Sequence, residues 1–203
     1  MKTCFLMFSL LFSWSLCAQE DYTIQLNDTT FDIALEQLYQ LTVNGQSLRV
    51  MLRSKDTLQY DDDFYTFKHS KDYKVSQMHI DEGIDQIMLM TAEGSGILIQ
   101  KYSTINPTFL NELMLNEVTK ESLNYGYEMQ RQDYKRTLTS GEELNVLKAV
   151  LNYQDEVNTF EIASVGGKDE GIIVMTMMMM DASLSAQGQK IINMMWDTLE
   201  IKK

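Results

Sequence analysis

The chain has 203 residues, with 29 acidic against 17 basic side chains and a net charge of −12 at pH 7. That balance excludes a basic nucleic-acid footprint and disfavours adsorption to an anionic membrane surface. Hydrophobic residues make up 44%, which at this length is enough for a sizeable core.

The N-terminus reads as a secretory signal peptide over 1–18. Lys2 supplies the positive start, Cys4 to Leu16 form an apolar run, and Ala18 is the small residue before Gln19-Glu20. The run is short for a transmembrane helix. Cleavage after Ala18 leaves a mature chain from Gln19, one charge more acidic because Lys2 is lost. Both cysteines, Cys4 and Cys17, go with the leader. The mature chain is therefore expected to hold together without a disulfide in an exported setting, periplasmic or extracellular. A lipoprotein anchor at Cys17 is the disfavoured alternative. Leu16 stands where that signal wants a small residue, and Trp14 where it wants Leu.

Nothing in 19–203 marks a linker, so one globular domain is expected, with an N-terminal β region at 22–56 and a core at 57–203. Leu38–Val43 and Ser47–Leu52 flank Asn44-Gly45, a hairpin signal because both turn residues accept positive φ. Phe31–Gln37 is ambiguous: Phe31, Ile33 and Leu35 alternate like a strand, but Ala34–Gln37 are good helix formers. Thr57–Tyr60 and Phe64–His69 follow, separated by Asp61-Asp62-Asp63. Tyr73–Ile80 is a further strand. Ile87–Thr91 and Ile97–Tyr102 are joined by a loop containing Gly94-Ser95-Gly96.

The period then changes. Asn106-Pro107 opens a helix over about 107–125, with Asn as cap and Pro in the first turn. Leu110, Leu113, Met114 and Val118 recur at three and four, and Tyr125-Gly126 ends it. Tyr127–Leu138 is expected to pair with Leu144–Tyr153. Thr159–Val165 and Gly171–Met180 flank a second glycine loop. A last helix over about 185–200 carries Ile191, Ile192, Met195 and Leu199 on one stripe with Trp196 beside it, and Ile201 leads into a short strand. Strands, helix, strands, helix make an α+β class with a largely antiparallel sheet and two packed helices.

The methionine run is the oddest local feature. Thioethers suit Cu(I), and Met175, Met177 and Met179 share one strand face, with Met178 and Met180 on the other. The preceding Ile172-Ile173-Val174 favour a strand buried on both faces, where methionine fills core space. His69 and His79 are the only histidines; a zinc site needs both plus a carboxylate, and nearby acids for His79 are Asp81 and Glu82. Asp61-Asp62-Asp63 lacks the alternating spacing of a calcium loop and reads as a solvated turn. Ser95 and Gly166-Gly167 precede strands, so they lack the helix N-terminus of a phosphate cradle or nucleophile elbow. No catalytic residue and no cofactor is nominated.

Phe64–Phe67, Asp72–Val75, Ile87–Met90 and Ile97–Gln100, then a helix beginning near a proline, long strands and a C-terminal helix closing on Asp197–Ile201, resemble the PsbP/DcrB-like α/β/α sandwich family over residues 57–203. The resemblance implies an exported, mostly non-enzymatic protein and transfers no functional residue. The expected function is a non-catalytic exported domain that binds a partner or assists assembly, its partner an unknown protein or small ligand. The alternatives are a soft-metal, Cu(I), or small-ligand carrier using the methionines, and then a hydrolase with scattered acids.

Overall fold

The computed structural model describes residues 21–180 and 185–202, so the expected leader, with Cys4 and Cys17, lies outside the described residues. The chain forms two compact units, Met1–Ser54 and Lys55–Lys203, a division close to the one expected between 22–56 and 57–203.

In the first unit, β1 (Asp21–Leu26) and β2 (Thr29–Ala34) form an antiparallel hairpin. The ambiguous segment after Phe31 is thus a strand up to Ala34. β3 (Leu38–Val43) and β4 (Gln46–Met51) form the second hairpin, and Asn44 and Gly45 take φ of 51° and 78°, as the Asn-Gly turn requires. Ile33, Ala34, Leu41 and Val43 are buried. The two hairpins meet at a parallel bridge between Leu35 and Leu52.

The second unit is layered. β5 (Thr57–Asp61) and β6 (Tyr65–Ser70) form a hairpin, followed by β7 (Ser76–Asp81), β8 (Ile84–Met90) and β9 (Gly96–Tyr102). A 3-10 turn at Pro107–Leu110 leads into α1 (Asn111–Tyr125). Then come β10 (Glu128–Arg131), β11 (Tyr134–Thr137), β12 (Glu143–Tyr153), β13 (Glu156–Gly166), β14 (Gly171–Met180), α2 (Ser185–Thr198) and β15 (Glu200–Ile201). Eight strands make one antiparallel sheet in the order β10-β12-β13-β14-β9-β8-β7, with β11 also on β12. A smaller sheet, β15-β6-β5, completes the unit. The α+β class with a largely antiparallel sheet and two helices is therefore as the sequence indicates.

Each sheet face has its own core. On one, α1 sets Leu115, Met114 and Val118 against Leu151, Phe160, Ile162 and Ile173. On the other, α2 and the small sheet set Ile191, Met195, Trp196, Leu199, Tyr65 and Phe67 against Ile97, Ile99, Val146 and Val174. The strand period of two divides β14 between them, Ile173 and Met175 to the first core, Ile172 and Val174 to the second.

Three local expectations change. The face of α1 is centred on buried Leu115 and Thr119, and Leu113 is 54% exposed. Residues 111, 114, 115, 118, 119 and 122 keep helical spacing, and Leu113 falls off that stripe. The strand expected over Tyr127–Leu138 is interrupted, because the Asp133 carboxylate accepts the backbone N–H of Lys148 at 3.0 Å in place of a ladder bond. The strand expected from Tyr73 begins at Ser76, because the Tyr73 N–H closes a turn on Ser70 O at 3.3 Å. The Asn106 cap holds as read, its side chain accepting from Thr108 N, and Gly126 ends α1 with φ of 115°.

Candidate functional site

Strand β7 is the outermost strand of the large sheet. It pairs with β8, and among the described residues no strand pairs with its other side. All six of its residues are exposed, with Met78 at 50% and Ile80 at 48%. Its sequence, Ser-Gln-Met-His-Ile-Asp, contains no lysine or proline of the kind that blunts a free edge. The register shifts between His79 and Asp81, so Ser76–His79 is the regular stretch of edge.

Beside this edge runs a groove of about 320 Å³, lined by Tyr60 from β5, Asp62 from the β5–β6 turn, and Gln77, His79, Asp85 and Ile87 from β7 and β8. The register puts Gln77 opposite Ile87 and His79 opposite Asp85. Gln77 Nε2 donates to Tyr60 Oη at 2.9 Å across the groove, and His79 Nδ1 lies 2.9 Å from Asp85 Oδ1. Asp85 is in turn opposite Lys101 on β9. Lys101 donates to Asp62 at 2.9 Å and to Asp63, while Lys202 lies 2.7 Å from Asp61. The acidic run is therefore engaged by two lysines rather than simply solvated. Burial works against the charge of Lys101, but its hydrogen bonds to Asp63 and Asp62 outweigh it and raise its pKa. Asp63 is held down to about 2, first by its hydrogen bond with Asp62 and then by Lys101. Burial, with Tyr60 and Asp62 nearby, pushes the Tyr65 hydroxyl up.

The residues singled out from the sequence are dispersed. His69 sits on β6 with Nδ1 3.0 Å from its neighbour's carbonyl, Ser70 O, and His79 sits on β7 in the other sheet, its carboxylate partner Asp85 rather than Asp81 or Glu82. Among the described residues no three His, Cys, Asp or Glu side chains gather as a metal set. Met175 is buried and Met177 and Met179 half-buried, all packed in the core beneath α1, with Met178 in the opposite core. Ser95 is buried, and its hydroxyl accepts from Met179 N at 2.9 Å, tying the β8–β9 loop to β14.

Sequence reading missed a polar row that crosses three central strands. Lys148, Glu161 and Thr176 are in register on β12, β13 and β14. Glu161 accepts from Thr176 Oγ1 and from Tyr134 Oη, each at 3.2 Å, and Lys148 Nζ lies 3.5 Å from it. The alternation Thr159, Phe160, Glu161, Ile162 signals a polar face, but only the register supplies the partners. The row borders a cleft of about 200 Å³ beside Gln189 and Ile192 of α2.

No family model matches the chain. No curated protein matches it either. Among solved structures it is similar to the solution structure of cyanobacterial PsbP from Synechocystis sp. PCC 6803, at 10% identity and a TM-score of 0.44, over 72% of this chain and 93% of that one. It is also similar to a crystal structure from Bacteroides thetaiotaomicron, at 12% identity and a TM-score of 0.37, over 71% of this chain and 48% of that one. Among the described residues no helix is long and apolar enough to cross a membrane.

Proposed function

We propose that the chain is an exported, non-catalytic domain that binds a partner protein, or assists its assembly, by taking an extended segment of that partner along β7. The observation that carries this reading is the open edge at Ser76–His79 with a side-chain groove directly beside it. Strand addition uses those two features together: backbone hydrogen bonds give affinity and a neighbouring pocket selects side chains. The groove is polar, so a polar side chain of the added strand suits it.

Several ionisable groups of the second unit are held in ion pairs. Lys71 holds Asp56 below the usual carboxylate range, and Arg131 does the same for Asp133. Asp133 and then Glu112 raise Arg131. These shifts lock groups in their ionised forms, as structural ion pairs do.

The test is a photo-crosslinking residue at Met78 in cells that export the protein, with the same residue at Lys168 as a control. A discrete adduct at Met78, absent at Lys168 and lost when Gln77→Pro is added, is the expected result. Adducts at both positions, or at neither, would sink the edge-binding reading. Intact mass of the exported protein checks the address: it should begin at Gln19, and a mass retaining an acylated Cys17 would place it on a membrane surface instead.

A further inference from the structure

A second surface, separate from the β7 edge, combines three exposed or partly exposed tyrosine rings with an unbalanced negative charge. Tyr125 closes α1, Tyr127 follows its Gly126 cap, and Tyr153 ends β12. The Tyr125 and Tyr153 ring centroids are 5.2 Å apart at 68°, those of Tyr127 and Tyr153 5.2 Å apart at 32°, and those of Tyr125 and Tyr127 6.1 Å apart at 46°. With Glu121 and Glu156 they line an open cleft of about 460 Å³. Tyr125 is 70% exposed, an unusual position for a large ring that serves only packing.

The charged residues that line the cleft, Glu121 and Glu156, have one sign, and the nearest base in sequence, Lys120, is paired with Glu117 at 3.7 Å. From Glu121 to Met129 and from Asn152 to Val157 there is no lysine or arginine, while Glu121, Glu128, Asp155 and Glu156 are all present. The last turn of α1 carries no basic residue, although the carbonyl end of a helix favours a cation there. The Tyr127 hydroxyl donates to the Glu156 carboxylate, which fixes the ring. That carboxylate also raises the Tyr127 pKa, keeping the hydroxyl protonated. Aromatic faces, carboxylates and a helix C-terminus each attract positive charge by a different mechanism.

We propose that this surface docks a lysine- or arginine-bearing segment of a partner protein, one cationic side chain lying against the Tyr125–Tyr153 rings and within reach of Glu121 and Glu156. Charge complementarity selects the occupant: in a chain of net charge −12, the lining of this cleft carries two carboxylates and no base. The openness of the cleft selects a protein segment over a small ammonium ligand, because small-ligand sites enclose most of their ligand.

The test uses the full exported chain and three probes: a lysine-rich peptide, a glutamate-rich peptide of the same length, and tetramethylammonium. Tyrosine ring proton shifts report binding. The lysine peptide should shift the Tyr125 and Tyr153 signals. Tyr125→Leu should weaken it about tenfold, whereas Tyr125→Phe, which keeps the ring face, should bind like the unaltered protein. Glu121→Gln should weaken it a few-fold and reduce its salt dependence. Tyr125 is exposed, so circular dichroism should show both variants folded. Equal binding of the two peptides, or undiminished binding by Tyr125→Leu, overturns the proposal. So does tetramethylammonium binding as tightly as the peptide, which would make this a small-ammonium site.

Discussion

Lys148 and Glu161 stand opposite each other on β12 and β13, the ammonium 3.5 Å from Oε1, on a sheet face whose neighbouring row is Val146, Ala163 and Val174. The side chains are only 29% and 12% exposed. Each polar group in such a row depends on the others for its hydrogen bonds.

Glu161→Ala should therefore destabilise the fold by about 1–3 kcal/mol, because Lys148, Tyr134 and Thr176 lose their shared acceptor. Adding Lys148→Met should recover part of that loss by removing the unpaired charge. Denaturant melts of the single and double variants measure the coupling. Additive losses would mean that the pair does not act as one unit.

The Asp63 carboxyl, held at about 2 against an ordinary 3.8, ties acid stability to the β5–β6 turn. A depressed folded pKa contributes stability that is complete above the unfolded value and is lost as pH falls through the folded one. Melting temperature should thus decline between about pH 4 and pH 2. Asp63→Asn should flatten that part of the curve. Its side chain is 81% exposed, so the effect should be modest and should shrink in high salt. An unaltered acid curve in the variant would disprove the assignment.

Met175 is 4% exposed beneath α1. Met175→Ala should cost about 2–4 kcal/mol, the usual scale for truncating a buried methionine. Chemical denaturation measures the loss, and Cu(I) titration examines the copper-carrier alternative. Unchanged stability with stoichiometric Cu(I) binding lost in the variant would favour the carrier.

Gly188 brings the backbone of α2 against the β8–β9 loop. A Cβ there would lie 2.4 Å from Ser95 Cβ. Alanine is favoured over glycine within a helix by about 1 kcal/mol, yet Gly188→Ala should destabilise by about 1–3 kcal/mol because Ser95 is too short to swing aside. Removing residues 185–203 altogether should give an aggregated or partly unfolded product, since Ile191, Ile192, Met195, Trp196 and Leu199 are all buried. Circular dichroism and gel filtration report both outcomes. A truncated chain that stays monomeric and melts normally would mean that α2 is an appendage.

Much of the fold was legible because its signals are local. Asn44-Gly45 named its turn, Asn106-Pro107 and Gly126 bracketed α1, and Ile191, Ile192, Met195 and Leu199 announced the buried stripe of α2. The candidate sites were not legible in the same way. His79 and Asp85 lie on neighbouring strands, but Lys101 and Asp62 meet across 39 positions of chain. Tyr125 and Tyr153 come together only because α1 packs on β12 and β13.

The sequence by itself determined the α+β class, both helices, most of the hairpins and the acidic balance of charge. Hydrophobic period, turn chemistry and charge are properties of a few consecutive residues. Tertiary structure alone decided the exposure of β7, the Lys148–Glu161–Thr176 row and the tyrosine cluster. These depend on strand order and register, and register is set jointly by segments far apart in the chain: a shift of one residue would turn Glu161 into the apolar core beneath α1.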